Sequence, residues 1–184
     1  RPNIMSHVTN GYYPDRISMM TKKMAEACPK SKNLIIFSLD GLKETHEEIR
    51  HSSGSFEKVR ESIKSVQRHQ SDYPNLETGV VITAQENNRE ELIPLIEYIE
   101  GKLIPDGIYI NLQRDHTQPS NVLVDPLTLK NYQEAVAFYE DLRNKKHLKK
   151  SKILDRLLDG KNKLQKRMIA KIAEENSYQL PCLA

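Results

Sequence analysis

The chain has no tryptophan, three phenylalanines and only two cysteines, Cys28 and Cys182, in 184 residues. Two cysteines so far apart give no disulfide framework and suit a reducing compartment, so a cytoplasmic location is expected. No apolar run approaches the roughly 18 residues that cross a bilayer, and no signal-peptide pattern is present. Charge of one sign is lacking too. Lys and Arg number 28 against 25 Asp and Glu, a net +3 that is too small to argue for nucleic acid. Basic residues do crowd between Arg143 and Arg167, but few aromatics are interleaved to stack on bases, and a solvated helical face explains them. Neither nucleic acid nor a membrane is expected as a partner.

What is present is a soluble-type pattern of short apolar runs alternating with helical stripes. The runs Ile4 to Thr9, Asn33 to Ser38, Thr78 to Thr83 and Gly107 to Leu112 read as strands. The segments between them carry apolar residues at helical spacing, which together predict α/β architecture with a parallel sheet. Helices are expected from near Asp15 to Cys28, with Ile17, Met20 and Met24 in the core, and from Ser55 as N-cap, burying Phe56, Val59, Ile63 and Val66. A third is expected after Asn88 as N-cap, with Pro94 a flaw that delays or kinks it. From Asp125-Pro126, a good N-cap and first-position pair, two long helical stripes follow, Leu129 to Leu142 and Ile153 to Ile172.

The densest signal is Asn33-Leu34-Ile35-Ile36-Phe37-Ser38-Leu39-Asp40-Gly41, where a nearly continuous apolar run stops at hydrogen-bonding side chains and a glycine. Continuous apolar runs mark parallel strands covered on both faces, and working groups sit just past the carboxyl ends of such strands. Taken alone, Ser38 could cap the strand and Asp40-Gly41 could make an ordinary turn. The residues that follow include His46, Arg50 and Gly54-Ser55-Phe56, and Thr9-Asn10-Gly11 lies about thirty residues upstream, the length of one βα unit.

This set resembles the radical S-adenosylmethionine (radical SAM) enzymes: Thr-Asn-Gly after the third strand, then Ser-Leu-Asp-Gly, His, Arg and Gly-Ser-Phe around the fourth. The resemblance implies a partial (β/α)6 TIM-like barrel of parallel strands with outer helices, of which this chain covers roughly strands three to six. It places Asn10 on the SAM and substrate side, Ser38 and Asp40 at the SAM site, Arg50 on the SAM carboxylate and the backbone around Leu112 at the adenine. A guanidinium can grip a carboxylate through two parallel bonds, as lysine cannot. Asp115 and His116 are substrate candidates or members of a solvated loop.

The family cleaves SAM reductively at a 4Fe–4S cluster to give a deoxyadenosyl radical, drawing electrons from a reductant such as a ferredoxin or flavodoxin. Its cluster sits on Cys-x-x-x-Cys-x-x-Cys. Neither that triple nor the glycine-rich motif of the second strand occurs here, and the chain starts at Arg1, so a segment of a longer protein is expected, inactive in isolation. Residues 1–124 would be the later part of the barrel, and 125–184 a helical segment leading to a truncated extension. Pro181-Cys182 resembles the start of the auxiliary-cluster extension called SPASM, with Cys182 as a cluster ligand, although a chance Pro-Cys explains it as well. Substrates of such relatives are peptides, proteins or cofactor precursors. The rival readings are another (β/α) barrel enzyme, such as an aldolase or metal-dependent hydrolase, and a non-catalytic SAM-binding or scaffold protein on a degenerate barrel.

Overall fold

The computed structural model describes residues 2–113 and 125–147. The chain divides into two compact units, residues 1–111 and 112–184. Asp115, His116, Cys182 and the second long helical stripe lie outside the described residues.

The first unit alternates strand and helix: β1 (Ile4–Thr9), α1 (Pro14–Ala27), β2 (Lys32–Ser38), α2 (Lys43–Ile49), α3 (Ser55–His69), β3 (Leu76–Ala84), α4 (Leu92–Tyr98) and β4 (Gly107–Leu112), whose last residue begins the second unit. The four strands form one parallel sheet in the order β1-β2-β3-β4. Crossovers between parallel strands are right-handed, so a strand order that never reverses delivers each helix to the same side. Burial follows that rule. Ile35 and Phe37 are buried on β2, opposite Thr78 and Val80 of β3 in register, and the four side chains face the helices.

The other face is open. Along β2 the alternate residues Leu34, Ile36 and Ser38 are only half-buried, where a strand covered on both sides was expected. On β1, Ile4 and Val8 are 61% and 68% exposed. Val8 pairs with Ile36, and Ile36 with Gly79, whose missing Cβ makes room for the Tyr109 ring of β4. The apolar run of β2 therefore reflects helix cover on one face and a half-open row on the other.

α3 buries the stripe foreseen for it, Phe56, Val59, Ile63 and Val66, and adds Ser62 and Ser65. Its N-cap is Gly54, in the left-handed region at φ 75°, rather than Ser55, which is the first helical residue. α1 departs further. It turns Thr21 and Ala25 inward and leaves Met20 45% exposed, so Met20 is not core. The physical reason is the neighbour: α1 packs closely on α3, and small side chains one turn apart let two helices approach. Ser18 Oγ and His69 Nε2, 2.8 Å apart, join them. Cys28 ends α1, as expected, its N–H donating to Met24 O.

The helix expected after Asn88 begins only at Leu92, with Pro94 inside its first turn, where a missing N–H costs nothing. Asn88 instead closes a single 3₁₀ turn, Glu86–Asn88, and a π-helical turn, Ile99–Leu103, follows α4. In the second unit, α5 (Pro126–His147) starts as its sequence signals, with Asp125 Oδ2 accepting the Thr128 N–H at 2.8 Å. Its buried residues include Thr128, Leu129, Tyr132, Ala135 and Tyr139. Among the described residues no helix is long and apolar enough to cross a membrane.

Candidate functional site

β2 runs out at Ser38, and the chain continues extended for one more residue, the Leu39 N–H donating to Val81 O at 3.0 Å. Asp40 then turns the chain into α2. Gly41 follows because nothing larger fits: a Cβ there would lie 2.8 Å from the Thr45 side chain and 3.0 Å from the His46 amide nitrogen. The first turn of α2 is capped from a distance. Glu91, just before α4, accepts the Leu42 N–H at 3.0 Å and the Thr45 hydroxyl at 2.7 Å, placing a carboxylate at the positive end of the helix.

Asp40 is the hub of what results. Its side chain is 3% exposed. One carboxylate oxygen, Oδ1, accepts the Thr83 N–H at the end of β3, at 2.9 Å. The other, Oδ2, accepts Arg50 Nη2 in an ion pair. The Asp40 N–H donates to Nδ1 of buried His46 at 3.2 Å, and the Asp40 carbonyl accepts Asn88 Nδ2 at 2.6 Å.

Two of these partners hold the frame. Asn88 also donates to Thr83 O at 2.8 Å and accepts the Gln85 N–H at 2.8 Å, so one buried amide pins the ends of β2 and β3 together. His46 must accept at Nδ1, because a backbone N–H can only donate, so the neutral Nε2–H tautomer is present. Burial lowers its pKa, with Arg50 acting in the same direction and Asp40 and Glu47 opposing. Arg50 sits at the C-cap of α2, its side chain 37% exposed, with guanidinium N–H groups beyond the Asp40 bond unpartnered among the described residues.

Ser38 is the last residue of β2 and pairs with Val81 of β3, while Asn10 is the first residue after β1, whose last pair with β2 is Thr9 with Phe37. The Ser38 hydroxyl has no partner among the described residues. Asn10 spends its Oδ1 on the Tyr12 N–H at 3.2 Å and keeps its amide nitrogen unpartnered among the described residues. Tyr12 ties this corner to the segment after Arg50. Lys58 Nζ lies 3.5 Å from its ring centroid, and Lys58 and Ser52 beside its hydroxyl lower its pKa.

The structure thus brings Asn10, Ser38, Asp40 and Arg50 to the carboxyl ends of β1 and β2. Leu112 is the buried last residue of β4 and belongs to the second unit. The sequence pattern gave His46, Thr83 and Glu91 no role at the site, and gave Asn88 only that of a helix N-cap. His46 stood in the quoted motif, but the other three act through contacts more than forty residues away in sequence, which no local spacing signals. No family model matches this chain, and no curated protein matches it.

The donors at the rim are a hydroxyl, an amide and a guanidinium, a set suited to a ligand with sugar hydroxyls and a carboxylate. They do not suit an iron–sulfur cluster. Among the described residues no group of three His, Cys, Asp or Glu could hold a metal ion, and the whole sequence has two cysteines where such a site needs three.

Proposed function

We propose that this chain is part of a radical SAM-type (β/α) barrel enzyme and forms one wall of its S-adenosylmethionine site. The observation that carries the reading is Arg50, fixed by the buried carboxylate of Asp40, two residues past the half-buried Ser38 that ends a parallel strand. A sheet wound in one direction, with helices on one face and a half-exposed row on the other, supports barrel curvature, in which the open row would line the interior.

In this reading Arg50 holds the SAM carboxylate, and Ser38 and Asn10 contact its ribose or amino-acid part. SAM supplies the radical precursor when bound. The residues of this chain orient it. The primary cluster does not fit on them, so its cysteines would come from outside these 184 residues, as would the contact to a ferredoxin- or flavodoxin-type reductant. The substrate class would be a peptide, protein or cofactor precursor, and the setting the reducing cytoplasm.

A second reading is a non-catalytic SAM-binding barrel, in which the same residues would hold SAM and no cluster would be present. The two separate by iron and sulfide content and by reductive formation of deoxyadenosine. SAM bound to protein without iron selects the second.

Both readings share a test at Arg50. Arg50→Ala should weaken SAM binding by about 1–3 kcal/mol, the scale of a charged hydrogen bond, as measured by titration calorimetry. Arg50→Lys should not restore it, because an ammonium cannot serve Asp40 and a ligand carboxylate in one plane. Unchanged affinity in Arg50→Ala removes the SAM site from this position.

A further inference from the structure

We infer that Asp40 is a positioning residue, one that acts on the ligand's carboxylate only through Arg50. The inference rests on the SAM reading of the site and goes beyond it by separating the two charged residues of the motif into one contact and one support.

Four bonds carry the argument. The Asp40 carboxylate is buried, and each of its oxygens already has a partner, Thr83 N–H on one and Arg50 on the other. Its backbone N–H and carbonyl are likewise spent, on His46 and Asn88. A ligand at the rim therefore meets the half-exposed guanidinium, not the carboxylate beneath it.

The chemistry gives that arrangement a purpose. A free arginine side chain loses rotamer freedom worth up to about 2 kcal/mol when it is ordered. With one Nη bonded to Asp40 that loss occurs on folding, and the planar fork is held with other N–H groups available. The Thr83 N–H on the second oxygen stops the carboxylate from rotating, so the plane of the guanidinium is fixed by β3 as well as β2. His46 and Asn88 fix the peptide groups on either side of Asp40. A ligand carboxylate then meets a preorganised fork.

The experiment compares two probes in the full-length protein. S-adenosylhomocysteine carries the amino-acid carboxylate, and methylthioadenosine lacks it. Asp40→Asn keeps an oxygen for Thr83 but sets an amide against the guanidinium. It should weaken S-adenosylhomocysteine about 10- to 150-fold, the range for loss of one charge-assisted contact, and methylthioadenosine by less than about twofold. The double variant Asp40→Asn/Arg50→Ala should bind S-adenosylhomocysteine no more weakly than Arg50→Ala alone, the signature of two residues acting as one. Equal loss of both probes, additive loss in the double variant, or undiminished selectivity in Asp40→Asn each overturns the inference. Wild-type protein that binds neither probe overturns the SAM reading and the inference with it. If Asp40→Asn does not fold, Asp40→Glu keeps the charge but displaces it by a methylene. That variant should lose part of the selectivity, and full selectivity in it overturns the inference.

Discussion

At the scale of single residues, His46 links the site to solution pH. Its ring is buried and must stay neutral to accept the Asp40 N–H, and its pKa is lowered mainly by that burial. The unfolded chain takes up a proton near the ordinary histidine value of about 6.5, whereas the folded chain does so only at lower pH. The unfolded state therefore binds more protons between those values, and stability must fall as pH drops below about 6.5. The urea midpoint should decline from pH 7.5 to pH 5.5, and the decline should be shallower in His46→Asn, whose amide oxygen can take the place of Nδ1. Equal slopes in the two proteins would mean that His46 does not carry this dependence. Little of this was legible beforehand. The sequence placed Ser38, Asp40 and Arg50 near one strand end, but that Arg50 leans on Asp40, and that both depend on Asn88, follows only when β3 comes alongside β2.

At the scale of elements, the approach of α3 to the end of β1 depends on Gly11. Its φ is +69°, and an added Cβ would stand 3.0 Å from the Val59 Cα, which is backbone and cannot step aside. Ser62 of α3 donates to the Gly11 carbonyl at 2.7 Å, fixing the contact. Gly11→Ala should therefore cost on the order of 1–3 kcal/mol in a denaturation experiment, from left-handed strain and overpacking together. An unchanged midpoint would place α3 further from β1. Elements whose identity rests on local pattern were legible: β1 and β4 run from Ile4 to Thr9 and from Gly107 to Leu112, as the apolar runs indicate. Elements decided by neighbours were not. The inward face of α1 is chosen by α3, which favours Thr21 and Ala25 over the larger Met20, and the late start of α4 is chosen by the tertiary bonds of Asn88.

For the molecule as a whole, the order of the strands sets a gradient of stability. β2 has hydrogen-bonded strands on both sides, whereas β1 stands at the edge of the sheet, with Ile4 and Val8 on its exposed face. Amide exchange in this chain should be at least about tenfold slower in β2 and β3 than in β1, because edge strands open with fewer contacts broken. Equal protection of β1 would mean that its outer edge is covered. The parallel α/β class could be read from alternating apolar runs and helical stripes. The openness of one face could not, because Leu34 and Ile36 look the same in sequence as Ile35 and Phe37.

The side chain of Asn88 spans the carbonyls of Asp40 and Thr83 with one nitrogen, at 2.6 and 2.8 Å. A single amide thus acts as the gauge of the gap between two strand ends. The two strand ends cannot splay without breaking at least one of these bonds, so in the proposed site adaptation to different ligands falls to the chain after β1 and the chain after Arg50. If the proposed site holds SAM, selectivity at its mouth is a property of its rim, over a base whose width Asn88 sets.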